Sequence, residues 1–273
     1  MDQTLIDLSS QTLTSAIKAN LFAYYDHLGR SPAVEISEDA RFKWVLTGLP
    51  VSFLNNILYT CLDTGDIDEI VAELLAGLRA KGITRLSWWI EPGTQPADLG
   101  EFLLRHGLIY DNEEPGMSLD LSQLHEAPLP EGFTVQRVED LLCLEEFIHA
   151  AAGGFGFPAE TEHRCVEMFA SLGFDQPLRH YIGILDGKTV ATSQMFLGAG
   201  VAGLYWVSTL PEARRRGIGA AITRGPLLEA RALGYRIGIL HASEMGFPVY
   251  QRLGFEEQCR MGHYIWLGGI ENR

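Results

Sequence analysis

The chain has 273 residues, of which 47% are hydrophobic, and its 35 acidic against 21 basic side chains give a formal net charge of −14. This length and apolar content predict a folded protein with a sizeable core and exclude a disordered chain. The acidic balance argues against nucleic acid as a partner, because nucleic-acid-binding surfaces are basic.

The start of the chain and its cysteines bear on location and metal content. Residues 1–7 are acidic rather than basic, and no apolar run approaches about 18 residues, so we expect neither a signal peptide nor membrane contact, and a cytoplasmic location. Cys61, Cys143, Cys165 and Cys259 are far apart and form no Cys-x-x-Cys pair. We therefore expect reduced thiols, no disulfide framework and no metal.

The first half of the chain alternates helical and strand-like patterns. Apolar residues at spacings of three and four predict a helix over 9–28, stopped by Gly29. Further helices are predicted at 67–78, with Asp66 as its N-cap, and at 99–104, and strands at 42–47, 51–60, 83–90 and 117–121. Residues 122–130, with two prolines, are predicted to be a linker.

The second half shows a similar alternation. Strands are predicted at 133–138, 181–185, 189–197, 201–207 and 236–241, and helices from Glu139 or Asp140 to Ala152 and over 161–172. The Asp186-Gly187 pair predicts a tight hairpin turn. Gly153–Pro158, between the two helices, is predicted to be a loop.

The segment after the 201–207 strand predicts an anion site. It reads Arg214-x-x-Gly217-x-Gly219 and then opens a helical pattern. The first turn of a helix has unpaired N–H groups and partial positive charge, and glycines allow a ligand to approach them closely. A phosphate is the expected ligand. The spacing excludes a P-loop and the dinucleotide-binding fingerprint.

Arg214, Gly217 and Gly219 match the Gln/Arg-x-x-Gly-x-Gly/Ala pyrophosphate loop of the GCN5-related N-acetyltransferase (GNAT) superfamily, which binds acyl-coenzyme A. The resemblance covers about half the chain. An exposed basic patch and a simple tight turn remain alternative interpretations of this motif.

A second motif follows at the spacing that the superfamily requires. A strand over 236–241 leads into a short helix that ends Tyr250-x-x-x-Gly254-Phe255, which resembles the second acetyltransferase motif, including its tyrosine. Tyr250 could also be a packing aromatic before a Gly-capped helix end.

The resemblance implies an α/β (α+β) fold in which a mixed, mostly antiparallel sheet is flanked by helices. The first half has a similar order of elements, with Leu103 where the second half has Tyr250, but it lacks an Arg-x-x-Gly-x-Gly motif before its Asp66 helix. We therefore predict two tandem GNAT-like domains, a degenerate one over 1–127 and a catalytic one over 128–273. Convergence between ordinary α/β patterns is the alternative.

The resemblance also implies roles for individual residues. The strand backbone would bind the pantetheine arm, the loop N–H groups would bind the pyrophosphate with help from arginine side chains, and Tyr250 would be the general acid. No metal is required. The implied cofactor-binding residues are Val207, Ser208, Thr209, Arg214, Arg215, Arg216, Gly217, Ile218, Gly219 and Ala220.

The general base is less clearly indicated. Many superfamily members carry a glutamate on the strand before the loop, but residues 204–207 have no carboxylate. A water chain could serve, or one of several side chains. The candidates are His241, Ser243, Glu244, His149 and His180.

These patterns predict an acetyltransferase that moves an acetyl group from acetyl-coenzyme A to an amine of a small molecule or peptide, which could be cationic. Gly153–Pro158 would then be a mobile wall of the acceptor site or a plain loop with core-facing phenylalanines. A non-catalytic acyl-coenzyme A sensor and an enzyme for longer acyl groups are the alternatives. The protein could be a monomer or a homodimer.

Overall fold

The computed structural model describes residues 4–62 and 65–268. Of the N-terminal segment 1–7, residues 1–3 lie outside the described range. The helices are α1 (Ser10–Leu28), α2 (Ile67–Ala80), α3 (Leu99–Arg105), α4 (Leu141–Phe155), α5 (Glu162–Ala170), α6 (Ile218–Ala232) and α7 (Phe247–Leu253). The strands are β1 (Glu35–Glu38), β2 (Phe42–Leu46), β3 (Asn55–Thr60), β4 (Arg85–Ile90), β5 (Ile109–Asp120), β6 (Phe133–Arg137), β7 (Leu178–Leu185), β8 (Lys188–Gly198), β9 (Val201–Thr209), β10 (Ile237–His241) and β11 (Glu256–Leu267). Among these helices, none has both the length and the apolar character of a membrane span.

The chain folds into two compact units that interleave in sequence. The first unit consists of Met1–Ser31 and Pro115–Cys259, and the second of Pro32–Glu114 and Arg260–Arg273. The predicted division after residue 127 does not coincide with these units. The physical reason is that α1 packs against β8 and β9, and the end of β5 pairs with β10.

The sheet of the first unit has the strand order β5-β10-β9-β8-β7-β6, and only its β9 and β10 pair is parallel. Neighbouring residues of β7 show what covers its two faces. Tyr181 donates a hydrogen bond from its hydroxyl to Glu229 of α6 at 2.9 Å, and His180 lies edge-on to Phe147 of α4 at 5.0 Å between ring centroids. Successive strand residues point to opposite faces, so α6 covers one face and α4 the other.

The second unit has the strand order β1-β2-β3-β4-β11, with β3 and β4 parallel and the other neighbours antiparallel. Helices α2 and α3 pack together, and Trp88 and Leu103 are fully buried in its apolar core. The Asp66 side chain accepts a hydrogen bond from the Glu69 N–H at 3.2 Å, which confirms the predicted N-cap of α2.

Each unit contains a strand from the opposite half of the sequence. In the first unit, Met117 of β5 pairs with Leu240 of β10, and in the second, Tyr264 of β11 pairs with Trp88 of β4. Both units also repeat one module, a strand, a helix, a parallel strand and a short helix: β9-α6-β10-α7 in the first and β3-α2-β4-α3 in the second. The repetition supports the hypothesis of tandem domains.

Glu114 of β5 provides a pH-dependent test of the fold. Burial raises the pKa of its carboxyl from 4.5 to about 7, and the charge of nearby Asp111 acts in the same direction. Between these two values the folded state keeps a proton that the unfolded state releases, so stability falls as pH rises from 4.5 to 7. We expect Glu114→Gln to raise the free energy of unfolding at pH 8 by about 1–3 kcal/mol and to change it little at pH 4.5.

Urea unfolding of the variant and the wild type at both pH values measures this difference. Glu113→Gln is the matched control, because Glu113 is half exposed and the nearest Arg260 nitrogen is 3.9 Å away. An equal effect of Glu114→Gln at the two pH values would contradict the assignment of a raised pKa.

Candidate functional site

Strand β9 carries a β-bulge near its end. One residue of β8, Ser193, faces two residues of β9, Trp206 and Val207. Trp206 has a φ of 51°, which a bulky side chain rarely adopts. The hydroxyl of Thr192 donates a hydrogen bond to the Trp206 carbonyl at 2.8 Å. The bulge is therefore held from the neighbouring strand.

Strand β9 separates from its parallel neighbour β10 after Leu204. Their parallel pairing ends at Leu204 and Leu240, yet β9 continues to Thr209 while β10 ends at His241. An extended ligand can add to such an exposed strand edge through backbone hydrogen bonds. Val207, predicted to bind a pantetheine arm, lies on this segment.

The predicted phosphate loop forms the N-terminus of α6. Arg215 and Gly217 have φ values of 62° and 78°, and the Ala221 N–H bonds back to the Gly217 carbonyl at 3.1 Å. The N–H groups of residues 218–220 therefore point out of the helix end. A Cβ added to Gly219 would meet no neighbour closer than 3.9 Å, and the first turn of α6 has no acidic residue. The site is open and suited to an anion.

Arg214 contacts the protein rather than pointing away from it. Its Nε donates to the Thr209 carbonyl at 3.0 Å, and one terminal guanidinium nitrogen donates to the Gly154 carbonyl at 3.3 Å. Its side chain thus connects the loop to the end of β9 and to the last turn of α4. Arg215 and Arg216 are exposed. These two side chains are better placed than Arg214 to supply charge for phosphates.

Gly153 and Gly154 belong to α4, so the prediction of a loop over Gly153–Pro158 is wrong for its first three residues. The helix continues to Phe155. The two glycines allow close packing against the end of β9: an added Cβ would lie 2.6 Å from a Leu210 methyl carbon at Gly153 and 2.5 Å from the Ser208 Oγ at Gly154. Glycine here serves contact between helix and strand rather than mobility.

Tyr250 lies on α7 and is 7% exposed. Its ring centroid is 6.0 Å from that of Phe255, and it belongs to the apolar cluster against which Val207 packs. A Cβ on Gly246 would lie 2.8 Å from the Tyr250 ring. The ring therefore contributes to packing near β9, a role compatible with that of a proton donor.

His180 and His241 were two candidate bases, and both are weakly basic in the structure. Burial lowers the pKa of His180 to about 3, with a further lowering from the charge of His27, and burial lowers the pKa of His241 to about 4. Both imidazoles are neutral at pH 7. A base whose conjugate acid has so low a pKa is poorly matched to an ammonium group with a pKa near 10.

The remaining candidates are polar groups at the surface. The Ser243 hydroxyl accepts a hydrogen bond from the Gly246 N–H at 3.2 Å, and Glu244 is exposed. His149 is 81% exposed and pairs with Glu162 at 3.2 Å. None of these contacts identifies a base, so a water chain and a side chain both stay open as hypotheses.

The structure also shows a polar network that the sequence interpretation missed. Trp206 Nε1 donates to the Tyr24 hydroxyl at 3.1 Å, and that hydroxyl donates to Gln194 Oε1 at 3.0 Å. The Tyr205 hydroxyl donates to Asn20 Oδ1 at 2.7 Å, and the Tyr24 and Tyr205 rings stack at 4.2 Å. Helix α1 therefore supports the bulge. Asn20, a polar residue in an otherwise apolar helical stripe, was the available signal.

Comparison with protein families bears on the same region. Residues 199–257, which include β9, the loop and α7, match the family model described as an acetyltransferase (GNAT) domain. This segment is similar to a GNAT acetyltransferase domain. No curated protein matches the chain by sequence.

Solved structures share the fold of this protein along nearly the whole chain. A GCN5-related N-acetyltransferase from Kribbella flavida superposes with a TM-score of 0.66 at 19% identity, over 92% of this chain and 96% of that one. One from Sphaerobacter thermophilus gives 0.61 at 16% identity, over 96% and 94%. A tandem GNAT protein from the clavulanic acid biosynthesis pathway gives 0.57 at 14% identity, over 99% of both chains. The predicted α/β fold is confirmed.

Proposed function

We propose that this protein transfers an acetyl group from acetyl-coenzyme A to an amine of a small molecule or peptide. The observation that carries the proposal is the course of β9, which separates from β10 after Leu204 and leads directly into an open helix N-terminus. A strand edge and an anion site in succession suit a ligand with an amide-containing arm and a pyrophosphate. The GNAT family match supports acetyl transfer.

The backbone of Val207 and Ser208 would bind the pantetheine arm. The Thr209 carbonyl already accepts a hydrogen bond from Arg214, so we assign Thr209 a smaller part in binding the arm. The amides of residues 215–220 would bind the pyrophosphate, with Arg215 and Arg216 adding charge at the rim. Arg214 would position the loop.

In the reaction, the amine nitrogen attacks the thioester carbonyl carbon, a tetrahedral intermediate forms, and the C–S bond breaks. The departing thiolate has a basicity similar to that of a cysteine thiolate, with a conjugate-acid pKa of roughly 8.5. Tyr250 would return a proton to it, and the proton lost by the amine would leave through water.

Replacing Tyr250 with phenylalanine tests the proposal. The variant keeps the ring that packs near Phe255 in the apolar cluster but removes the hydroxyl. We expect kcat for thiol release to fall on the order of 100-fold, the magnitude typical of losing a general acid. The Kd for acetyl-coenzyme A, measured by calorimetry, should change less than about twofold, because no phosphate contact is altered.

The wild type and Tyr250→Ala are the reference proteins, since alanine removes the ring as well as the hydroxyl. An unchanged kcat in the phenylalanine variant would remove Tyr250 from the mechanism. Tight binding of acetyl-coenzyme A by the wild type, without thiol release across a broad amine panel, would favour the non-catalytic sensor. Competition among acyl-coenzyme A chain lengths would identify a preference for longer groups.

The other expectations also stand as proposals. We propose a cytoplasmic location, no nucleic-acid partner and either a monomer or a homodimer.

A further inference from the structure

Aromatic rings surround the bulge residue Trp206 on the face covered by α4 and α5. The ring centroids of Phe147, Phe155, Phe157 and Phe169 lie between 5.2 and 6.2 Å from that of Trp206. Phe155 is 43% exposed, so the cluster reaches the surface. Trp206 directly precedes Val207, the first residue assigned to the pantetheine arm. The cluster therefore adjoins the segment where acetyl transfer is proposed.

Behind these rings lie two buried polar side chains with unused hydrogen-bonding capacity. His180 and Gln194 are both 0% exposed and are direct partners across β7 and β8, so their side chains share one face. Neither ring nitrogen of His180 has a hydrogen-bond partner among the described residues. Among those residues, Gln194 Nε2 also has no hydrogen-bond partner, whereas Gln194 Oε1 accepts a hydrogen bond from the Tyr24 hydroxyl.

The rings connect His180 to the cluster. Phe147 and Phe169 each lie edge-on to the His180 ring at 5.0 Å, and both also contact Trp206. An unsatisfied buried donor or acceptor costs free energy, and native proteins tolerate it where a ligand completes the bond. A polar group of a ligand bound at the cluster would satisfy these orphan atoms.

The chemistry of these groups restricts the ligand. His180 is neutral because burial lowers its pKa to about 3, so one ring nitrogen donates and the other accepts. Gln194 Nε2 offers further donors. None of the cluster side chains is acidic. A ligand carrying a second ammonium group would lose its hydration there without gaining a carboxylate partner.

We propose that the acceptor is a primary amine on a flat, apolar ring that carries one neutral hydroxyl or carboxamide group, bound by His180 and Gln194. The inference rests on the proposed acetyl transfer and narrows the earlier expectation, which allowed a cationic acceptor, to one whose reacting amine is its only cationic group. The rings would hold the body of the amine, and its polar substituent would complete the unused hydrogen bonds.

The test compares amines that differ by one group. Thiol release is measured with tyramine, with phenethylamine, which lacks the hydroxyl, and with spermidine and lysine amide, which carry more than one ammonium group. A site built to bond a hydroxyl discriminates strongly against the analogue that lacks it, so we expect kcat/KM to favour tyramine by roughly tenfold or more. Both aromatic amines should give a higher kcat/KM than spermidine and lysine amide.

His180→Phe isolates the hydrogen bond. We expect kcat/KM for tyramine to fall roughly tenfold, to the level of phenethylamine, while the value for phenethylamine and the Kd for acetyl-coenzyme A stay unchanged. Tm should rise, because the variant removes a buried, unsatisfied polar group. His180→Leu provides a smaller replacement if phenylalanine does not fit. His163→Phe, at an exposed position of α5, is the matched control.

The outcomes separate the two proposals. Preference for spermidine or lysine amide, or equal use of tyramine and phenethylamine by the wild type, overturns the inference and leaves acetyl transfer standing. A lower Tm in both His180 variants with unchanged selectivity also overturns it, because His180 would then be structural. Binding of acetyl-coenzyme A without acetylation of any amine rejects acetyl transfer itself.

Discussion

A fragment of residues 128–273 should fail to form a native structure. It lacks α1, whose Asn20 and Tyr24 bond to residues on β8 and β9, and it lacks the part of β5 that pairs with β10. Apolar residues of β9 and β10 that pack against α1, such as Val201 and Ile239, would be exposed to water. We expect no cooperative thermal transition by circular dichroism and no acetyl-coenzyme A binding.

The matched control keeps every helix and strand and cuts only the backbone between the two halves. A protease site inserted between Ala127 and Pro128, in the irregular segment after β5, allows the full-length protein to be cut after folding. The cut protein should keep its circular dichroism spectrum, and the two pieces should elute together from a sizing column. A soluble 128–273 fragment with a sharp transition would show that the first unit does not need these elements.

Gly219→Val should strongly weaken cofactor binding without harming the fold. On the protein side, the added Cβ would make only a van der Waals contact, 3.9 Å from the Thr209 hydroxyl oxygen. The side chain would occupy the position from which a pyrophosphate approaches the helix N-terminus. We expect the Kd for acetyl-coenzyme A to rise on the order of 100-fold, equivalent to about 2.8 kcal/mol. Calorimetric titration measures the change.

Gly77→Val is the control for that substitution. Gly77 is also a helical glycine with nothing within 4 Å of an added Cβ, and it lies on α2 of the second unit. Its variant should bind acetyl-coenzyme A with wild-type affinity and have a similar Tm. If Gly219→Val binds as tightly as Gly77→Val, the pyrophosphate does not lie at this helix end.

Local patterns predicted most of the helices and the strand hairpins. The Asp186-Gly187 turn has φ values of 49° and 80°, as a tight hairpin turn requires, and α1 ends at Leu28 before Gly29. The loop that opens α6 was also identified from its residues. In each case the signal comes from a cap, a turn or a periodic apolar stripe, which depends on near neighbours.

The elements that were missed depend on distant parts of the chain. β1, β11 and residues 109–116 of β5 were not predicted. β5 begins at Ile109 and contains Glu113, Glu114 and Pro115, residue types that are depleted in strands, so pairing partners rather than propensity determine it. The bulge at Trp206 requires register with β8, and no local pattern encodes it.

Strand β11, which joins the second unit from the opposite half of the sequence, affects how that unit can fold during translation. The second unit begins at Pro32, yet its sheet is complete only when β11 pairs with β4, and β11 ends at Leu267. During synthesis on the ribosome, the edge of β4 must therefore wait until Pro115–Cys259 of the first unit and then β11 have been translated. Pairings between such distant segments form slowly and leave strand edges open to aggregation. Fast translation or high expression temperature would consequently reduce the yield of this protein more than that of one whose domains close in sequence order.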